Sequence, residues 1–181
     1  MRIGKIVKVA MALSTLFVIW RWTVVAAGNV TASHEYQIGK YYRFEELNQD
    51  GIRQEFTPQY NRLQSIELFI ANVYDDTDGS IQIVIGDEKG NEIFRKSYLV
   101  SKIPTGEFYE YKIRKTLKPG EHYDLYISYN GNSEELPQLM VSEKTKNLVE
   151  TETMYVQWEE SDYNVAISYN YAWRSLLGFS Y

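Results

Sequence analysis

The sequence predicts an all-β protein: an antiparallel sandwich of about eight strands behind an N-terminal export or anchor helix. Three observations carry this. From Tyr41 onward apolar side chains recur at every second position, the period of a strand with one buried and one wetted face. Gly, Asn, Asp and Pro cluster between those runs, where the backbone must turn. The first 27 residues carry cations, then an apolar run, then small residues, and no acid.

The N-terminus comes first. Arg2, Lys5 and Lys8 precede an apolar run from Val9 to Trp20, and Val24-Val25-Ala26-Ala27-Gly28 supplies the small residues of a cleavage site. Twelve apolar residues make about 18 Å of helix, shorter than a bilayer core. Extending the run to Ala27 gains length but encloses Arg21, which could snorkel between Trp20 and Trp22. Residues 1–27 are therefore read as a cleaved signal, with a retained membrane anchor as the alternative. Either way the rest of the chain lies outside the membrane, secreted or held at its outer face. Residues 28–40 form a leader, 41–171 the sandwich domain and 172–181 a C-terminal tail.

The strands follow in order. Ile52, Gln54 and Phe56 share a face; Ile66, Leu68 and Ile70 alternate with Glu67 and Phe69; Ile81, Ile83 and Ile85 alternate with Gln82 and Val84. Glu88-Lys89-Gly90-Asn91 makes a hairpin with the segment Glu92–Val100. Tyr109, Tyr111 and Ile113 mark the next strand, and Tyr123, Leu125, Ile127 and Tyr129 another, entered from the turn Lys118-Pro119-Gly120-Glu121. Met154, Val156 and Trp158 read as core positions of one strand, with Tyr155 and Gln157 facing water. Val165, Ile167, Tyr169 and Tyr171 read as another. Ser142–Glu152 is polar and reads as a loop or a short turn of helix. The spacing fits a sandwich or a barrel.

Composition narrows the function. The whole chain carries a formal charge of −5, and its first 27 residues hold four basic side chains and no acidic one, so the exported part is more acidic still. Such a surface does not suit nucleic acid, whose phosphates need a basic footprint, or an anionic membrane, which is reached only through an uncleaved N-terminal segment. There is no cysteine, so the domain rests on its hydrophobic core without disulfides, and thiolate catalysis and Cys-ligated zinc are excluded.

Three segments carry a family resemblance: Gln54–Pro58 with Leu63–Leu68, the hairpin Gly79–Arg95, and the Pro-Gly strand entry Leu117–Ile127. Together they resemble the jelly-roll, galactose-binding-like β-sandwich domains of bacterial extracytoplasmic proteins. The resemblance spans roughly Tyr41 to Tyr171 and implies a carbohydrate-binding module or an accessory part of a surface protein. Many such domains hold a structural calcium. No sugar-contact motif of the family maps onto this sequence residue by residue.

Candidate chemistry is sparse. Asp75, Asp76 and Asp78 before Gly79 offer hard oxygens for calcium, but the remaining ligands of a calcium loop are missing, and an acidic hairpin turn explains them as well. Sixteen tyrosines and four tryptophans are many for 181 residues. Rings stack on the CH faces of sugars, and they also pack across strands for purely structural reasons. Tyr126, on the polar face of its strand, and Tyr155 are the candidate ligand-binding rings. His34 and His122, the only histidines, are too far apart in pattern to make a metal cluster or a nucleophile's base. Glu159-Glu160 are sequence neighbours rather than a glycosidase pair, which comes from separate elements. The sequence thus points to a non-enzymatic binding module at the cell surface, with glycan the favoured ligand. The alternative is a structural or protein-interaction module of a cell-envelope assembly.

Overall fold

The computed structural model describes residues 11–20, 42–74, 77–144 and 152–172. Among the described residues, twelve strands form two six-stranded antiparallel sheets. They are β1 (Tyr42–Glu46), β2 (Ile52–Phe56), β3 (Arg62–Ala71), β4 (Ser80–Asp87), β5 (Glu92–Leu99) and β6 (Glu107–Thr116), then β7 (Tyr123–Asn130), β8 (Gln138–Glu143), β9 (Met154–Val156), β10 (Glu159–Glu160), β11 (Tyr163–Val165) and β12 (Ile167–Tyr171). The expected count of about eight was too low, because several strands are short or carry no alternation.

Sheet I follows the path β1-β8-β3-β12, with β11 also on β8 and β6 also on β3. Sheet II runs β10-β9-β2-β7-β4-β5. Period-two burial is clearest in sheet II. Ile81, Ile83 and Ile85 of β4, and Tyr123, Leu125, Ile127 and Tyr129 of β7, point into the core, while Gln82, Val84, Asp124, Tyr126 and Ser128 face outward. One hydrophobic cluster joins both sheets, from Leu47 and Ile52 through Leu68 and Ile83 to Val165 and Tyr171. Burying that apolar surface is the main force closing the sandwich.

A buried amide ties the layers together. Gln54 of β2 is fully buried, and its Oε1 accepts a hydrogen bond from Val165 N–H of β11 at 2.9 Å, while its Nε2 donates to Glu55 O. Gln54 shares the inward face of β2 with Ile52 and Phe56, and all three are buried. Nearby, β3 and β8 pair only at Ile70–Leu139 and Ala71–Gln138. Beyond that point β11 continues on β8 and β12 on β3, with Ala166 N–H bonded to Met140 O between them.

Three expectations change. Met154–Trp158 is not one strand: β9 ends at Val156, and Gln157 and Trp158 turn the chain into β10. Trp158 is not core, being 76% exposed. Ser142 and Glu143 belong to β8 rather than to a loop. Leu139 to Ser142 are all buried, so this strand shows no alternation to read.

Residues 11–20 are helical with every side chain exposed. No helix among the described residues is long and apolar enough to cross a membrane. The rest of the expected signal, the leader, and all of the tail except Ala172 lie outside the described residues.

Candidate functional site

The outer face of sheet II brings the two sequence-selected tyrosines to one place. Strand register puts Arg53 of β2 opposite Tyr126 of β7 on one side and opposite Tyr155 of β9 on the other. All three side chains share the outward face, so Arg53 lies between the rings. Its guanidinium carbon sits 3.9 Å from the centroid of the Tyr155 ring, a cation–π contact. Across the β4 side, Val84 stands opposite Tyr126 in register, and a Cβ added at Gly86 would meet the Tyr126 ring at an ordinary contact distance of 3.9 Å.

Two carboxylates complete the cluster. Arg53 Nη2 lies 3.2 Å from Glu55 Oε1, and its Nε 3.8 Å from Asp124 Oδ1. That Nε is buried and has no hydrogen-bond partner. Burial alone would lower the Arg53 pKa, but Asp124, Tyr126 and Glu55 outweigh it and the net shift is upward. Burial pushes the Asp124 carboxyl up, and Arg53 only partly offsets this. Burial likewise raises Tyr155, with Glu55 adding to the effect. Arg53 is thereby held charged among groups that already use part of its hydrogen-bonding capacity.

Next to this cluster runs a cleft of about 560 Å³ lined by Arg53, Glu55, Glu88, His122, Asp124 and Thr153, with Tyr123 at its wall. His122 Nδ1 lies 3.1 Å from Thr57 Oγ1, and Glu88 Oε1 accepts from His122 N–H. The cleft is thus lined by planar polar groups, which suit hydroxyl-rich ligands.

The ring that sequence reading missed as a site residue is Trp158. It stands at the tip of the β9–β10 hairpin, close to Tyr155, Tyr126 and Arg53, which share a small pocket with it. Gln157 and Trp158 have φ of 51° and 69°, so the two-residue turn places both in the left-handed region. Asn or Gly is the usual occupant there, and a bulky non-glycine pair costs backbone energy. No turn motif betrays it in the sequence.

Of the acidic candidates, only Asp78 is among the described residues; Asp75 and Asp76 lie outside them. Asp78 Oδ1 accepts a hydrogen bond from Asn132 N–H at 2.9 Å and one from the Tyr129 hydroxyl at 3.3 Å, which fastens its loop to the turn after β7. Gly79 beside it has φ 85°, and a Cβ there would stand 2.3 Å from Asn130 O, so only glycine lets the loops meet. Among the described residues no group of three or more potential ligands could hold a metal ion.

The outer face of sheet I differs. Phe44 of β1, Phe69 of β3 and Phe108 of β6 form a chain of rings, with Tyr42 edge-on to Phe44. Tyr42, Phe44 and Phe108 are 56%, 37% and 39% exposed. Farther along the same face, Asn170 Nδ2 donates to Ser65 Oγ and Glu67 Oε1, and Ser65 Oγ donates to Glu110 Oε1.

Comparison of the chain with protein-family models, with curated proteins and with solved structures finds no match.

Proposed function

We propose that this protein is a non-catalytic binding module working outside the cytoplasm, and that its ligand is carbohydrate. One observation carries the reading: an exposed tryptophan, held in a strained turn, stands beside a tyrosine–arginine–tyrosine row and a cleft of planar polar side chains. A sugar ring offers CH groups to a ring face and hydroxyls to carboxylates and guanidinium. Trp158 supplies the first, and Arg53, Glu55 and Asp124 the second. Tyr155 contributes mainly by fixing Arg53, since the guanidinium lies over one face of its ring. Tyr126 forms the far wall.

We read the sandwich as a jelly roll of the galactose-binding-like kind. In each sheet some neighbours are distant in sequence, with β8 beside β1 and β7 beside β2, while β4–β5 and β9–β10 are consecutive hairpins. That crossing connectivity supports the reading. The cationic start of the chain and its exposed apolar helix support export, with anchoring at the outer face if the segment stays attached. A calcium ion, if one binds, takes its oxygens from Asp75, Asp76 and Asp78.

The test is a glycan array probed with the domain, with and without calcium. The expected result is selective retention of a glycan class that Trp158→Ala weakens about tenfold. Silence across a broad array in both conditions would sink sugar binding. A second reading, docking to an envelope protein, rests on the aromatic chain Phe44–Phe69–Phe108 of sheet I. A silent array together with loss of a co-purifying envelope partner in Phe108→Ser would favour it.

A further inference from the structure

At one end of the sandwich, away from Trp158, a pocket of about 360 Å³ opens where β2 leaves its sheet and β6 turns into β7. Its walls include Thr57, Pro58, Pro119, Tyr169 and Tyr171, and Glu152 supplies a carboxyl. The two loops are fastened by Gly120 N–H donating to Pro58 O. The rings are set from behind: Tyr169 stacks on Phe56 at 4.9 Å, and Tyr171 meets Tyr60 edge-on at 5.5 Å. The backbone that carries Glu152 is anchored too, since Glu55 N–H donates to Thr153 O. The pocket is therefore built on rigid elements.

Two polar groups in it lack partners. The Tyr169 hydroxyl is buried in a side chain only 3% exposed and makes no hydrogen bond. Glu152 pairs with no Lys or Arg among the described residues, and burial lifts its carboxyl to about 7. A partly buried carboxyl and a fully buried, unused hydroxyl stand among aromatic and proline walls, and the hydroxyl leaves its desolvation uncompensated. A ligand that brings a cation and a hydrogen-bond donor would satisfy both. The tyrosine rings would face that cation as well.

We propose that this pocket is a second binding site, separate from the sugar-binding face, that takes a small amine: an ammonium group on a short apolar or aromatic body. The ammonium donates to the Glu152 carboxylate and the Tyr169 hydroxyl, and the body lies between Pro58, Pro119 and Tyr171.

Benzylamine, benzyl alcohol and benzoate probe the full chain by NMR titration and calorimetry. Benzylamine is expected to bind saturably, about tenfold tighter than the alcohol, with benzoate weaker still. The Tyr169 and Tyr171 ring resonances should shift with it in the unsubstituted protein, which locates the site without a variant. Glu152→Gln is expected to lower the amine affinity about tenfold and erase the preference over the alcohol, and Tyr169→Phe to lower it about threefold. Trp158→Ala should leave it unchanged, so failure of the sugar reading is distinguishable from failure here. Equal binding of amine and alcohol, absence of the ring shifts, or an unchanged affinity in Glu152→Gln would overturn the proposal.

Discussion

The outer faces of the two sheets carry different chemistry. On sheet II the outward positions are Arg53, Glu55, Asp124, Tyr126 and Tyr155, a charged row braced by rings. On sheet I they include a patch of apolar rings, Phe44, Phe69 and Phe108, with the hydrogen-bonded group of Ser65, Glu67, Glu110 and Asn170 farther along. Alternation says which side chains point away from the core. It does not say what they are for. The difference teaches that partner type follows from cross-strand neighbours: register sets a guanidinium between two tyrosines on one face and lines up phenylalanines on the other.

The largest effect is expected from severing the link between the layers. Gln54→Leu leaves the Val165 N–H buried without a partner and should destabilise the fold by about 2 kcal/mol, read as a lower denaturation midpoint at unchanged m-value. If stability holds, the two faces are less coupled than the hydrogen bond implies. Arg53→Met should break only the sheet II face. It leaves Asp124 and Glu55 without their cation, so glycan binding should fall more than tenfold while stability drops by about 1 kcal/mol. Arg53→Lys should not restore binding, because a lysine lacks the planar fork that stacks on Tyr155.

Glu152 gives a pH signature of comparable size. Burial raises its folded pKa to about 7, above the unfolded value, so the folded state holds the proton longer than the unfolded chain does. Stability should therefore be highest below about pH 4.5 as far as this group is concerned, fall as pH rises toward 7, and level off above it, a loss of about 2 kcal/mol after allowance for its partial exposure. The neighbouring Tyr169 and Tyr171 are themselves held far above neutral pH by burial and do not titrate in that window. Glu152→Gln should flatten the slope in pH-dependent unfolding, and an unchanged slope would place the titration elsewhere.

The smallest effect sharpens the comparison most. Trp158→Gly removes the ring and relieves a positive φ at once. Glycan binding should fall about tenfold while thermal stability rises by about 0.5–1 kcal/mol. Loss of both together would mean that the indole packs on the sandwich. Phe108→Ser on the other face should leave glycan affinity within about twofold, as read by titration with the glycan that the array selects.

Much of the scaffold was legible because strands such as β4 and β7 sit mid-sheet with one face in the core, and each residue declares its side. The hairpin at Asp87–Asn91 was legible for a local reason: Asp87 Oδ1 accepts from Lys89 N–H and Asn91 N–H, a turn that short polar side chains close by themselves. Tyr126 and Tyr155 were placed on the outward side, and the structure puts them two strands apart with Arg53 between. Their shared neighbour was invisible, because register between distant segments is not written in either one. Trp158 was misread by carrying alternation through a turn that has no Gly or Asn to mark it. β8 escaped because both its faces are covered, which leaves an apolar run with no period.

The sequence by itself determined that the chain alternates, turns often, builds no disulfide and begins with a cationic and then apolar segment. These are properties of residues and their near neighbours, so they survive without a fold. Only the tertiary structure decided which outward residues meet, where Glu152 is stripped of water and on which face the tryptophan stands. Each of those depends on strands far apart in the chain being brought within a few ångströms by closure of a common core.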